Sequence, residues 1–371
     1  MSDAMNHGEL GIIALQSSEA LGDMVDKHII EMRGPEHEIQ SYLIPIEQVR
    51  FANGEGKVKL LDSVRGKDIY ILADVGNYSS TYKMFGTLNR MGPDEHFQDI
   101  KRTLSAIGGK ANRVTVIMPL LYASRQHKRK GRESLDCAMA LNELQNMDVA
   151  TIITFDVHDP TIHNAIPNTS FENIYPTYTM IKKMIQTEGL DAIKNNMTVI
   201  SPDTGAMDRA IYYANVLGLD VGMFYKRRDH TRVVNGKNPI VQHEYIGGDL
   251  AGKNVLIVDD MIASGESIVD IINEISDKNI KNAYVATTFA FFTEGVEKFD
   301  KLYEEGKLIK LYTTNLSYIP EEVKAKPWFV EVDLSKFIAK IVNTLSFDHS
   351  ISHLLDATAR IRQLIQNTMN Q

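Results

Sequence analysis

Val255-Leu256-Ile257-Val258-Asp259-Asp260-Met261-Ile262-Ala263-Ser264-Gly265-Glu266-Ser267 decides how the chain is read. Four apolar residues end in two carboxylates, and a loop of small residues then enters a helix-forming stretch. An apolar run of this length bounded by a Gly-containing loop is a buried strand of an α/β protein. The amides from Ala263 to Ser267, with the helix N-terminus behind them, can surround a phosphate monoester without any side-chain charge. Asp259 and Asp260 supply ionised acceptors for vicinal hydroxyls. Phosphate at one end and a diol at the other describe a pentose phosphate, at the carboxyl end of a strand where open α/β sheets bind ligands. The bland alternative is an ordinary strand-to-helix turn capped by Ser267; the paired Asp after four apolar residues tips the balance against it.

Outward from this segment, short β-branched runs alternate with amphipathic stretches, the pattern of crossover units feeding a parallel sheet. Strands are expected at residues 10–15, 114–121, 150–157, 198–202, 222–226, 255–259, 283–290 and 308–313, with helices around 18–31, 97–107 and 134–147. Two extended runs flanking Ala52-Asn53-Gly54 predict a β-hairpin over residues 49–61, a candidate for subunit contacts. Polar stretches at 77–94 and 229–249 read as loops, and the apolar spacing of 349–371, broken at Thr358, predicts a docking helix.

The 371 residues, 43% of them hydrophobic, are enough for two cores of ordinary size. The domains are expected at 1–170 and 171–345, followed by a helical tail at 346–371. A formal charge of −8 argues against broad nucleic-acid affinity. The opening residues lack a basic-then-apolar leader and no apolar run reaches bilayer length, so no membrane partner and a cytoplasmic address are expected. One cysteine, Cys137, excludes an internal disulfide and argues against a zinc site; its place on an amphipathic helix makes it a packing residue.

Four further segments carry candidate chemistry. Arg125-Gln126-His127-Lys128-Arg129-Lys130-Gly131-Arg132 follows a strand, and is either a solvated loop or a polyphosphate subsite. Asp156-Val157-His158 ends another strand; taken alone the histidine is more often a hydrogen-bonded core residue than a metal ligand. Asp203, after the next strand, can bind a hard cation or ribose hydroxyls. Lys226 and Arg228 sit where a strand meets the second polar stretch, as transition-state cations or as a surface patch.

The Asp-Asp loop resembles the phosphoribosyl-pyrophosphate motif of type I phosphoribosyltransferases and ribose-phosphate pyrophosphokinases. Residues 11–345 are similar to the second group through Arg50-Phe51-Ala52-Asn53-Gly54-Glu55, Ser63-Val64-Arg65-Gly66-Lys67-Asp68, and the segments 122–132, 154–158, 201–209 and 224–228. The resemblance implies an α/β fold of two phosphoribosyltransferase-like domains, each a mainly parallel sheet flanked by helices. It implies transfer of the ATP diphosphate to ribose 5-phosphate, giving phosphoribosyl pyrophosphate and AMP for nucleotide biosynthesis. It assigns Phe51, Asn53, Glu55, Arg125 and Gln126 to ATP, with Lys128 and Arg132 as weaker assignments. It assigns Asp203, Asp259, Asp260, Ala263, Ser264, Gly265, Glu266 and Ser267 to ribose 5-phosphate, His158 and Asp203 to Mg2+, and Lys226 and Arg228 to catalysis. Donation of the Phe51 hairpin to a neighbouring subunit implies a homo-oligomer, dimer-based or hexameric. Ala263 stands where many members are acidic, and Glu266 where glycine is commoner. The competing readings are a catalytically weak regulatory subunit of such an enzyme and a phosphoribosyltransferase that consumes the product.

Overall fold

The computed structural model describes residues 7–34, 39–129, 131–194, 196–228 and 240–370, without the side chains of 226–228 and 240–243. The chain divides into two compact units: Met1–Tyr175 with Asn315–Tyr318 and Asp333–Asp356, and Pro176–Thr314 with Ile319–Val332 and Ala357–Gln371.

In the first unit the strands in chain order are β1 (Leu10–Ala14), β2 (Ile46–Arg50), β3 (Gly56–Leu60), β4 (Asp68–Leu72), β5 (Thr81–Met84), β6 (Thr87–Arg90), β7 (Arg113–Ile117), β8 (Thr151–Phe155) and β9 (Ser170–Ile174). Five of them form a sheet in the order β1-β4-β7-β8-β9, every neighbouring pair parallel. β4, Asp68-Ile69-Tyr70-Ile71-Leu72, is buried throughout, as a parallel strand covered on both faces must be. The helices Glu19–Arg33, Pro93–Ile107 and Asp136–Asn146 supply the cover. The first buries Leu21, Val25 and Ile29, four residues apart on one stripe, and each such side chain removed from water contributes roughly 2 kcal/mol. Its last residue, Arg33, is held by Asn343 Oδ1 at 2.7 Å and Ser346 Oγ at 2.6 Å, which ties it to the helix Ser335–Ser346.

The second unit contains β10 (Met197–Ser201), β11 (Asp220–Arg228), β12 (Ile240–Ile246), β13 (Asn254–Ile262), β14 (Asn282–Ala290), β15 (Lys310–Thr314) and β16 (Phe329–Val332). They form one seven-stranded sheet, β12-β11-β10-β13-β14-β15-β16, parallel except at the β11/β12 edge. After β10 the chain crosses through the helix Met207–Leu217 to β11 on one side; after β13 it crosses through the helix Glu266–Ser276 to β14 on the other. The winding therefore reverses between β10 and β13, and a ligand crevice opens at their carboxyl ends. The core beneath is built on Ile200, Val255, Ile257, Ile271, Ile275, Val285, Leu311 and Trp328.

Two expected loops are corrected. Residues 77–94 contain the antiparallel pair β5/β6 and the start of the helix Pro93–Ile107. That helix begins ahead of the apolar stripe because Pro93 occupies its first turn and Glu95 Oε2 accepts from Gly92 N at 2.9 Å, satisfying the amide that opens the helix. Residues 240–246 of the second stretch form β12, whereas 229–239 lie outside the described residues. The expected tail helix is two helices, Ser352–Leu355 and Thr358–Met369, broken just before Thr358; the longer packs on Thr177–Glu188 and Met207–Leu217. Among the described residues no helix is long and apolar enough to cross a membrane.

Candidate functional site

In the second unit, the loops that follow β10 and β13 meet at the winding reversal. Asp203 folds its own loop: Oδ1 accepts from Gly205 N at 2.8 Å and Ala206 N at 3.2 Å, which presents the exposed side chain at the strand end. On β13, Asp259 Oδ1 accepts from Asp260 N at 2.9 Å, and Asp260 Oδ1 from Met261 N at 2.8 Å. Burial holds the Asp259 carboxyl well above its ordinary range, and the adjoining Asp260 and the charge of Asp203 push the same way. Arg209, from the helix behind the Asp203 loop, pulls against them. Three carboxylates thus share one corner, where a hydroxyl donor or a cation would relieve their repulsion.

Beyond the pair, the backbone turns through Gly265 at φ +83°, the N-cap of the helix Glu266–Ser276. Among the described residues the amides of Ala263, Ser264 and Gly265 meet no acceptor, and Glu266 N reaches only Ser264 Oγ, at 3.5 Å. Exposed donors at a helix start are what an anion needs. The loop is fixed from below: Thr293 N donates to Ala263 O at 2.9 Å, Phe291 N to Ile262 O at 2.8 Å, and the buried Phe299 ring lies directly under Gly265. Glu266, the acidic departure, has Lys298 Nζ 3.6 Å from Oε1, and Lys298 also holds Glu294 at 3.0 Å. The carboxylate beside the open amides is thereby balanced. Ser267 is exposed in the first helical turn.

Lys226 and Arg228 lie at the end of β11, the neighbour of β10; their backbones pair with His243 and Ile240, and their side chains fall outside the described residues.

In the first unit, Arg125 and Gln126 are exposed on a short 3-10 turn after β7. That turn meets the loop after β8: His127 Nε2 stands 3.1 Å from Asp159 Oδ2, Lys128 Nζ 3.9 Å from the same oxygen, and the His127 and His158 rings are 5.5 Å apart. The structure thus groups Arg125, Gln126, Lys128 and His158 at the carboxyl ends of two adjacent strands. Arg132 is exposed, beyond the turn. Phe51, Asn53 and Glu55 sit on the β2/β3 connection, the hairpin expected there, with Phe51 48% exposed.

Among the described residues no group of three or more His, Cys, Asp and Glu is placed to enclose a metal. A few carboxylate oxygens around Asp203 fit a hard cation that keeps its waters and takes phosphate oxygens, and do not fit a structural zinc.

A parallel sheet with a carboxylate pair and an open amide nest at its winding reversal places the second unit in the phosphoribosyltransferase class of α/β folds, and residues 169–325 match the family model described as a phosphoribosyl transferase domain. Residues 10–147 match the model described as the N-terminal domain of ribose phosphate pyrophosphokinase. The chain belongs to the ribose-phosphate pyrophosphokinase family. It is 25% identical over 315 residues to the ribose-phosphate pyrophosphokinase of Vibrio parahaemolyticus, covering 83% of this chain and 90% of that one. It is 24% identical over 359 residues to that of Bacillus caldolyticus, covering 96% of this chain and all (100%) of the relative. In fold it resembles the phosphoribosylpyrophosphate synthetase of Mycobacterium smegmatis, with a TM-score of 0.74 over 91% of this chain and 98% of that one at 21% identity.

Sequence reasoning missed Phe299 as the floor of the loop, Lys298 as the partner of Glu266, and Asp159 beside His127. Each is joined to its partner by tertiary packing and not by spacing. The basic character of Lys298 was the only available signal.

Proposed function

We propose that the chain transfers the diphosphate of ATP to the anomeric hydroxyl of ribose 5-phosphate, releasing AMP. The observation that carries this reading is the corner in the second unit where free amides of the β13 loop stand next to Asp259, Asp260 and Asp203. Phosphate and sugar hydroxyls need donors and acceptors in that juxtaposition.

In this reading the amides of Ala263 to Ser267 bind the 5-phosphate, and Gly265 lets the backbone approach it. Asp259 and Asp260 accept hydrogen bonds from the ribose hydroxyls, fixing the ring so that the C1 oxygen is presented to the nucleotide. Phe51, Asn53, Glu55, Arg125 and Gln126 bind ATP. Lys226 and Arg228 neutralise the oxygens of the diphosphate as it passes between them, the main task of a protein in phosphoryl-type transfer. The anomeric oxygen forms the new bond to the β-phosphorus, the bond from that phosphorus to the α-phosphate oxygen breaks, AMP carries that oxygen away, and the hydroxyl proton is released. Asp203 and His158 are the residues that would hold Mg2+, which supplies charge neutralisation to the polyphosphate when bound. The chain works as a cytoplasmic homo-oligomer.

Incubation with ATP, Mg2+ and ribose 5-phosphate should release AMP only when the sugar is present. AMP released at the same rate without it, or none across several divalent metals, refutes the proposal.

A further inference from the structure

The β5/β6 hairpin, hidden in a polar stretch of sequence, closes with a two-residue turn, Phe85-Gly86, at φ +49° and +78°, the left-handed pair that tight hairpins require. Its tip reaches the connection between β2 and β3: Phe85 N donates to Ala52 O at 2.8 Å. Along β5, Thr81 and Lys83 are exposed, while Tyr82 and Met84 are half-buried, the alternation of a strand with one covered face. At Met84 that face is covered by the same connection, and at Tyr82 also by Arg50 and by Glu95, whose Oε1 accepts from the Tyr82 hydroxyl at 3.5 Å. A Cβ placed on Gly54 would lie 2.7 Å from Met84 Sδ and 4.0 Å from the Tyr82 ring, so the thioether fills the space that glycine leaves. At the base of the connection the Arg50 guanidinium sits 5.5 Å from the Tyr82 ring centre and ion-pairs with Asp99 at 2.7 Å.

The connection has few bonds of its own: Gly54 N to Phe51 O and Phe51 N to Glu55 O, both 2.8 Å, and Glu55 N to Asn53 Oδ1 at 3.2 Å. A short exposed turn with so few contacts samples many conformations unless something outside holds it. We propose that the β5/β6 hairpin is a positioning element for the nucleotide, with Met84 and the Phe85 amide holding the Phe51–Glu55 turn in the form that meets ATP. The proposal rests on the assignment of that turn to ATP. Met84 acts through the turn and does not itself touch substrate.

The full chain carrying Met84→Ala, Met84→Leu or Phe51→Ala is assayed for kcat and for both KM values, with melting temperature alongside. Met84→Ala should raise KM for ATP roughly five- to tenfold, the equivalent of a lost packing contact, and leave kcat, KM for ribose 5-phosphate and the melting temperature nearly unchanged. Met84→Leu, which keeps the volume, should stay close to the parent. Phe51→Ala should raise KM for ATP. A normal KM for ATP in Met84→Ala beside a raised one in Phe51→Ala overturns the brace and leaves the turn's assignment standing. A normal value in Phe51→Ala removes the assignment, and the brace with it. Equal rises for both substrates would show a general structural role and also overturn the proposal.

Discussion

Gly265→Ala is the sharpest single perturbation of the proposed phosphate loop. At φ +83° an L side chain sits in the left-handed region, which costs roughly 1 kcal/mol relative to glycine. The added Cβ would also stand 2.6 Å from Phe299 Cε2 and 2.7 Å from Cζ, about an ångström inside ordinary carbon contact. The ring cannot step aside, because it is 0% exposed and packed 5.3 Å from Phe292 and 5.6 Å from Trp328, centre to centre. Overpacking of this kind costs about 1–3 kcal/mol, so the total is about 2–4 kcal/mol, and the loop, as the least restrained partner, moves. If the nest binds the sugar phosphate as proposed, its displacement should raise KM for ribose 5-phosphate at least about tenfold, where 1.4 kcal/mol is one factor of ten. KM for ATP should change little. Gly265→Ala combined with Phe299→Leu relieves the overlap but not the backbone strain, and should recover part of the loss. Steady-state kinetics with each substrate varied in turn, and melting curves for all three proteins, supply the data. A Gly265→Ala protein with KM for ribose 5-phosphate within about twofold of the parent would refute the reasoning.

Lys298→Gln should raise KM for ribose 5-phosphate roughly two- to fivefold at low salt by unmasking Glu266, with the effect fading as salt screens it; adding Glu266→Gln should restore the parent value, and a double variant no better than the single one would deny the coupling. Burial raises the Asp74 carboxyl from 3.8 to about 7 against hydrogen bonds from Ser317, Gly76 and Tyr318. The folded state therefore holds a proton that the unfolded chain releases above pH ~4, and stability should fall by up to roughly 4 kcal/mol as pH rises from about 4 to about 7. Asp74→Asn removes this dependence, so urea unfolding at pH 4.5 and 7.5 should show the variant gaining on the parent at the higher pH; a constant difference would contradict it. Burial pushes the Cys137 thiol up to about 12, so iodoacetamide at neutral pH should label the protein only after unfolding. Rapid labelling of the native form would show that the site opens.

How much was legible in the sequence follows from how local each signal is. β13 and its loop are contiguous, and five buried residues, Asn254 to Val258, lead straight into the carboxylate pair. β4 was not read because its buried run, Ile69 to Leu72, carries no polar alternation to set it off from the turns on either side. β9 and β16 are edge strands whose half-exposed residues blur the apolar pattern. β5/β6 alternates polar with half-buried residues and carries its exposed Phe85 (81%) at the tip, so nothing marked it as a strand pair except the Phe85-Gly86 turn. The segments 315–318 and 333–356 rejoin the first unit through tertiary bonds such as Ser317 Oγ to Asp74 Oδ2 at 2.9 Å, which no periodicity records. Within the site, the carboxylates and the loop could be read as a group, whereas Phe299 and Lys298 reach it only through the packing of the next helix onto the loop.

The most direct measurement is phosphorus NMR of the product formed from ATP and freshly prepared ribose 5-phosphate labelled with 18O at C1. The account predicts that the label stays bonded to C1 and shifts the resonance of the adjoining phosphorus, with unlabelled AMP. Label appearing in AMP, or a product with no phosphorus attached to C1, would contradict it.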